Sequence, residues 1–193
     1  YNQNERQPPK PEGIDDKIIK GAYRLSESKS DNRPNVRILG SGPILSHVIE
    51  ASEKLVELGI NSEIWSVTSY GELRREGLES QRINRLYPEE EKIPYVSECF
   101  GDEITTVAVS DYITAVPEMI QRWVGGKFIV LGTDGFGRSD DRLELRRFFE
   151  IDTNSIVLAT ISALEREGSV KKGLTEEIVE KWGISRERFD KTH

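Results

Sequence analysis

Residues 36–59 read VRILGSGPILSHVIEASEKLVELG. A short apolar run reaches two glycines, and a helical beat follows: Ile44, Leu45, Val48, Ile49, Leu55 and Val56 fall on one stripe over residues 44–58. Glu50 and Lys54 stand four apart outside that stripe, and Gly59 supplies a stop. Strand, tight turn and helix are thus written in one stretch. The alternation repeats downstream: EIWSV (63–67) leads into a polar region, TTVAV (105–109) into a helical pattern over 113–124, and FIVL (128–131) into a charged helix from Asp140. It predicts an α/β sheet with helices on both faces.

Upstream, IDDKIIKGAYRL (14–25) gives a short helical turn and a strand around Tyr23. The polar SESKSDNRPN (26–35) separates that strand from the one at Val36 and predicts that the two pair antiparallel. The 113–124 pattern puts Ile113, Val116, Ile120, Trp123 and Val124 on one face, with Pro117 in its first turn or at a kink. Near the end Thr175 caps a short helix, Glu176 and Glu177 occupy its first turn, and Gly183 closes it.

Composition narrows the class. The 193 residues carry 27 basic and 34 acidic side chains, net −7, with no basic block to follow a phosphate backbone, which argues against a nucleic-acid partner. The single cysteine, Cys99, allows no internal disulfide framework and no thiolate metal cluster, and suits a reducing, cytoplasmic setting. No apolar run approaches the ~20 residues of a membrane span. Residues 1–13, YNQNERQPPKPEG, carry Pro8, Pro9 and Pro11 among polar neighbours and read as a connector from a preceding domain, leaving 14–193 as one α/β domain.

Gly40 and Gly42 follow a strand and open a helix, as in a dinucleotide-binding turn. The third glycine position holds Leu45, Pro43 removes an N–H donor, and the strand ending at Val67 runs into Thr68 and Ser69 without a ribose-binding acid. A tight strand-to-helix turn is the better reading. His47 and His193 have no histidine or cysteine partner at a metal-ligand spacing, PEEEK (88–92) reads as a solvated loop, and no G-x-S-x-G elbow is present. The chemistry-bearing candidate is LGTDGFGRSDDRLELRRFF (131–149). Ser139 is placed to cap the following helix, while Asp140 and Asp141 complement its positive end and would repel a phosphate that Arg138 alone would favour. Gly135 and Gly137 allow a sharp turn, and Phe136 between them reads as an anchor. Asp134, Phe136, Arg138, Ser139 and Asp140 therefore form either a structural or interface turn or a loop touching substrate.

LGTDGFGRSDDRLELRRFFEID closely resembles the C-terminal domain of the homodimeric pyruvate dehydrogenase decarboxylase component, in the transketolase-like family of thiamine-diphosphate enzymes. VRILGSGPILSHVIEASEKL, SVTSYGELRREGLESQRINRLYP and VAVSDYITAVPEMI resemble that family's successive blocks, and NERQPPKPEG its junction with the preceding domain. The resemblance implies a three-layer αβα domain with a mixed, mostly parallel five-stranded sheet. It implies that thiamine diphosphate and Mg2+ are held by other domains through a Gly-Asp-Gly motif, which GDE at 101–103 does not complete, so this stretch holds no cofactor and is inactive alone. The whole enzyme would decarboxylate pyruvate and pass the two-carbon unit to lipoyl groups. Its implied partners are the preceding domains, a second subunit of a homodimer and the dihydrolipoamide acyltransferase core, with the 134–140 turn facing a neighbouring domain or the substrate approach. The alternatives are the C-terminal domain of another transketolase-like enzyme, or an independent regulatory or nucleotide-binding module.

Overall fold

The computed structural model describes residues 8–28, 31–135 and 139–186. Five strands, β1 (Ala22–Ser26), β2 (Asn35–Gly40), β3 (Asn61–Val67), β4 (Thr106–Val109) and β5 (Phe128–Leu131), form one sheet in the order β1-β3-β2-β4-β5. The β3–β2, β2–β4 and β4–β5 pairs are parallel. β1 is antiparallel, but its partner is β3 and not the strand at Val36, with Ala22 opposite Val67. The reason is local: the Gly21 carbonyl accepts from the backbone N–H of Thr68 and Ser69, pinning the start of β1 to the end of β3. Both sides of β2 are meanwhile taken by parallel neighbours. All seven residues of β3 are buried, as expected of a strand paired on both sides and covered on both faces; the edge strand β5 is only half-buried.

Helices α1 (Asp15–Lys20), α2 (Leu45–Glu57), α3 (Tyr70–Leu86), α4 (Tyr95–Phe100), α5 (Ala115–Glu118), α6 (Arg142–Phe148), α7 (Thr153–Glu167) and α8 (Leu174–Trp182) flank the sheet. Alternate strand residues divide the core. Val36, Ile38, Ile64, Val107 and Val109 pack with α2, α7 and α8, while Leu39, Trp65, Val67 and Ala108 pack with Tyr70 and Leu73 of α3, Val96 and Phe100 of α4, and Trp123. Helices on both faces are what the alternation predicts.

Within the elements the structure makes several corrections. On α2, Leu45, Val48 and Leu55 are buried as expected, but Val56 is exposed. Glu50 and Lys54 do not pair with each other, because the start of α7 lies over them: Thr153 Oγ1 donates to Glu50 and Lys54 Nζ to Asn154 Oδ1. The polar region after β3 is the 17-residue α3; its buried stripe is only Tyr70, Leu73, Gly77 and Ser80, so apolar periodicity barely marks it. Outward-facing Glu72–Arg75 and Glu79–Arg82 pairs at i,i+3 accompany that stripe. The 113–124 pattern is not one helix but the four-residue α5 and a 3₁₀ turn at Gln121–Trp123. The α-helical segment ends at Glu118; Ile113, before it, is exposed, while Pro117, Ile120 and Trp123 are buried. Helices α4 and α7 carry no signal that the sequence reading uses. Gly183 closes α8 in the left-handed region as expected, but Gly173, not Thr175, stands at its N-cap. The cap is supplied from α7: the Glu165 carboxylate accepts from Gly173 N (2.7 Å), Thr175 N (2.8 Å) and Thr175 Oγ1 (2.5 Å). These bonds, the Thr175 hydroxyl first, hold the Glu165 carboxyl at about 2.

At the amino end of the sheet Arg37 is only 2% exposed. Its Nε donates to Glu63 of β3, and its two terminal nitrogens donate to both oxygens of Asp102, each at 2.9 Å. The indole N–H of Trp65 donates to the same Glu63, and the Phe100 ring lies 5.5 Å from the guanidinium. Burial pulls the Arg37 guanidinium down, but Asp102 and Glu63 outweigh it and leave it above its ordinary value; Arg37 in turn lowers Asp102.

Candidate functional site at the carboxyl edge of the sheet

Parallel strands that end together place their following loops side by side, and α/β proteins build their sites on that edge. Here the loops after β2, β3, β4 and β5 meet there. After β2, Gly40 is required by close approach: a Cβ would sit 3.0 Å from the Leu45 side chain and 3.1 Å from Val48. Gly42 supplies φ +53° for a 3₁₀ turn that carries Pro43 into α2. The turn is thus closed by core contacts, with buried Leu45 standing where a dinucleotide turn needs glycine. After β3, Thr68 Oγ1 donates to the Ile18 carbonyl and Ser69 Oγ caps α3 by accepting from Glu72 N at 3.0 Å.

The loops after β4 and β5 are clasped to each other. Asp134 accepts from Thr114 N at 2.9 Å and from Thr114 Oγ1 at 2.8 Å. In the opposite direction Thr133 donates from its backbone N–H to the Tyr112 carbonyl and from Oγ1 to the Asp111 carbonyl. Gly132 permits this approach, because a Cβ there would meet the Tyr112 carbonyl at 2.7 Å and Thr114 N at 2.9 Å. The clasp leaves Tyr112 and Ile113 outward, each 52% exposed, on the β4–α5 loop.

Of the five turn residues singled out by sequence, Phe136 and Arg138 lie outside the described residues. Asp134 is the clasp. Ser139 and Asp140 are exposed, and the expected Ser139 cap is corrected: the helix begins two residues later, and Asp141 caps it by accepting from Leu143 N (2.9 Å) and Glu144 N (3.0 Å). Asp140 accepts from Asp141 N at 2.8 Å and so shapes the lead-in. A residue next to a cap is read as the cap whenever two candidates adjoin, and the Ser-Asp-Asp run offers three.

His47 is the titratable group that the sequence reading leaves unused. It is buried near the start of α2, with Nδ1 2.9 Å from Thr153 Oγ1 and Nε2 2.6 Å from a terminal nitrogen of Arg146 on α6. Only the fold brings residues 47, 146 and 153 together, so no spacing could have signalled it. The GDE acid Asp102 is engaged with Arg37 at the opposite end of the sheet. Among the described residues no group of three or more His, Cys, Asp or Glu side chains is placed to hold a metal ion. Both oxygens of Asp134 accept from Thr114, which gives the acid in the glycine-punctuated turn a structural partner.

Comparison with known proteins gives a consistent set. The profile of the transketolase-like TK C-terminal domain matches residues 21–152. The chain is 44% identical over 191 residues to the pyruvate dehydrogenase E1 component of Pseudomonas aeruginosa, covering 97% of this chain and 22% of that protein. With the corresponding component of Escherichia coli it shares 38% identity over 192 residues, 98% of this chain and 21% of the relative. The chain therefore spans about a fifth of the length of these curated relatives. In fold it is similar to the transketolase of Leishmania mexicana, with a TM-score of 0.54 at 17% identity over 78% of this chain and 19% of that one.

Proposed function

We propose, from the premise that the chain belongs to the transketolase-like C-terminal domain family, that it is the C-terminal domain of a pyruvate dehydrogenase decarboxylase component. The observation that carries this is the 44% identity maintained over 97% of the chain. In this reading the whole enzyme is a cytoplasmic homodimer that decarboxylates pyruvate and delivers the acetyl unit to lipoyl groups of an acyltransferase core. Thiamine diphosphate with Mg2+, bound on other domains, supplies the electron sink for the carbon left when CO2 departs.

The part left to this domain is mechanical. A surface with two adjacent half-exposed apolar side chains, Tyr112 and Ile113, held in place by the Asp134–Thr114 clasp, suits a rigid seat for the preceding part of the same polypeptide. In this reading the 134–140 turn is an interface or substrate-facing turn: Asp134 forms the clasp, and the exposed Ser139 and Asp140 are available to the neighbouring domain or the substrate approach.

The test uses the full-length polypeptide and this chain side by side. With thiamine diphosphate, Mg2+ and an artificial electron acceptor, the full-length protein is expected to consume pyruvate, and the chain alone is expected to do nothing and to give no saturable calorimetric signal with thiamine diphosphate and Mg2+. Turnover of sugar phosphates in place of pyruvate would overturn the assignment, as would micromolar cofactor binding by the chain alone. Replacing Tyr112 and Ile113 with serine should leave the fold of the chain intact while weakening the full-length enzyme; unchanged activity and association would remove the seat from the reading.

A further inference from the structure

Helix α6 is only seven residues long and mostly exposed, with Phe148 its buried residue. An attachment of α6 to α2 contains an imidazole, and the directions of the three hydrogen bonds that run from Arg146 to Glu50 are fixed by chemistry. A guanidinium only donates, so in the 2.6 Å contact with Arg146 the His47 Nε2 must accept and carry no proton. The remaining proton of the neutral ring is then on Nδ1, which donates to Thr153 Oγ1 at 2.9 Å. Thr153 Oγ1, accepting there, gives its own proton to Glu50 Oε2 at 2.8 Å. The result is a one-way relay, Arg146 to His47 to Thr153 to Glu50, tying α6, α2 and α7 together through a neutral imidazole.

We infer that His47 is a proton-sensitive latch: neutral, it holds α6 and the lead-in residues 139–141; protonated, it releases them. A proton added at Nε2 points N–H against N–H at the shortest contact of the relay and sets two cations there. The other charges that face the ring do not cancel this. Glu50, on α2, lies 4.0 Å from Nδ1, but its side chain is 60% exposed and so well screened, against 10% for His47. Lys54 on α2 and Arg147 on α6 add positive charge, and Asp152, the N-cap of α7, negative charge, around the same small cleft of ≈ 190 Å³. That cleft, lined by these residues together with His47 and Arg146, gives water a route to the ring. The pH range that tests the latch is the one in which imidazoles as a class gain their proton while carboxylates do not. The latch itself does not rest on the proposed function; its effect on a neighbouring domain through the 134–140 turn does.

Amide hydrogen exchange on the chain as it stands tests it, read as protection factors at pH 7.5 and pH 5.5. The probes are Leu145, Phe149 and Ile151, whose N–H groups bond to Asp141, Leu145 and Arg146 carbonyls; α3 is the internal reference. The wild type is expected to lose about tenfold protection at these three sites on acidification while α3 is unchanged. His47→Gln offers Arg146 a carbonyl oxygen and has no proton to gain, so its α6 protection should be the same at both pH values. Unchanged protection in the wild type, or an equal loss in His47→Gln, overturns the latch. Should that variant fail to fold, the imidazole nitrogen spectrum of the wild type decides: the neutral Nδ1–H tautomer at pH 7.5 is required, and the Nε2–H tautomer or a charged ring at that pH overturns the proposal.

Discussion

Asp141 and Ser139 compete, on paper, for the same task, and the geometry gives it to Asp141, whose carboxylate meets two N–H groups at the start of α6. Asp141→Ala should therefore cost about 0.5–2 kcal/mol, the usual price of a lost cap. Ser139→Ala, at an exposed position outside the helix, should stay within about 0.5 kcal/mol. Urea denaturation of both variants measures the difference, and equal losses would return the cap to the serine. Gly77 makes the opposite kind of case, because two effects oppose each other there. In an exposed helix interior Gly→Ala is favourable by up to about 1 kcal/mol. At this position, however, the new Cβ would lie 2.8 Å from the Trp123 ring, against a side chain that is itself buried. Overpacking of that kind costs about 1–3 kcal/mol, so Gly77→Ala should lower stability by about 1 kcal/mol net in the same titration; a stabilised variant would show that the indole moves aside.

Elements in this fold are held at their ends by side chains from other elements, and that decides which of them could be read in advance. Strands β2 to β5 and helix α2 announce themselves through local apolar periodicity, as Val36 to Leu39 and Val48 to Leu55 do. Helix α3 does not, because its packing stripe includes Gly77 and Ser80, which no hydrophobic pattern counts. Nor does the cap of α8, made by Glu165 ten residues before Thr175, nor the clasp of Thr114 by Asp134 across twenty; the turn at 134 was legible as a turn and not as a clasp. Arg37 shows the energetic side. Removing it leaves Glu63 buried with its charge unmatched, so Arg37→Ala should destabilise by about 3–5 kcal/mol, visible as a large fall in the urea midpoint; a loss below about 1 kcal/mol would mean that water reaches Glu63. The Glu165 cap gives a pH dependence of known sign. Its folded carboxyl, at about 2, lies below the ordinary 4.5, so the folded state binds fewer protons than the unfolded one. Its contribution is complete above about pH 4.5 and disappears as the pH falls towards 2. The protection factor of the Ile184 amide, bonded to the Val179 carbonyl at the end of α8, should fall across that window in the wild type. In Glu165→Gln the same site should be weakened at all pH values, without the step.

For the whole molecule the question is whether two cores behave as one. The cluster under α2, α7 and α8 and the cluster under α3 and α4 share no helix, but they share every central strand, because adjacent residues such as Ile38 and Leu39 point to opposite faces. Neither face can loosen without taking the common sheet with it, and for a sheet whose strand β3 is buried along its whole length that means global unfolding. A mutation on one face should then be felt equally on the other. Ile38→Ala removes a fully buried side chain from the α2 face and should cost about 2–5 kcal/mol. Trp182 packs against that same face, while Trp65 and Trp123 belong to the other. Single-tryptophan versions of the chain, with the remaining indoles replaced by phenylalanine, report each face separately. With Ile38→Ala added, the urea midpoints seen by Trp182 and by Trp123 should fall together, with unchanged m-values. A midpoint that drops for Trp182 while Trp123 keeps its own would show that the faces come apart independently. The three layers would then be two half-domains on a shared sheet, and the seat at Tyr112 and Ile113 would depend on only the β4–β5 side of it.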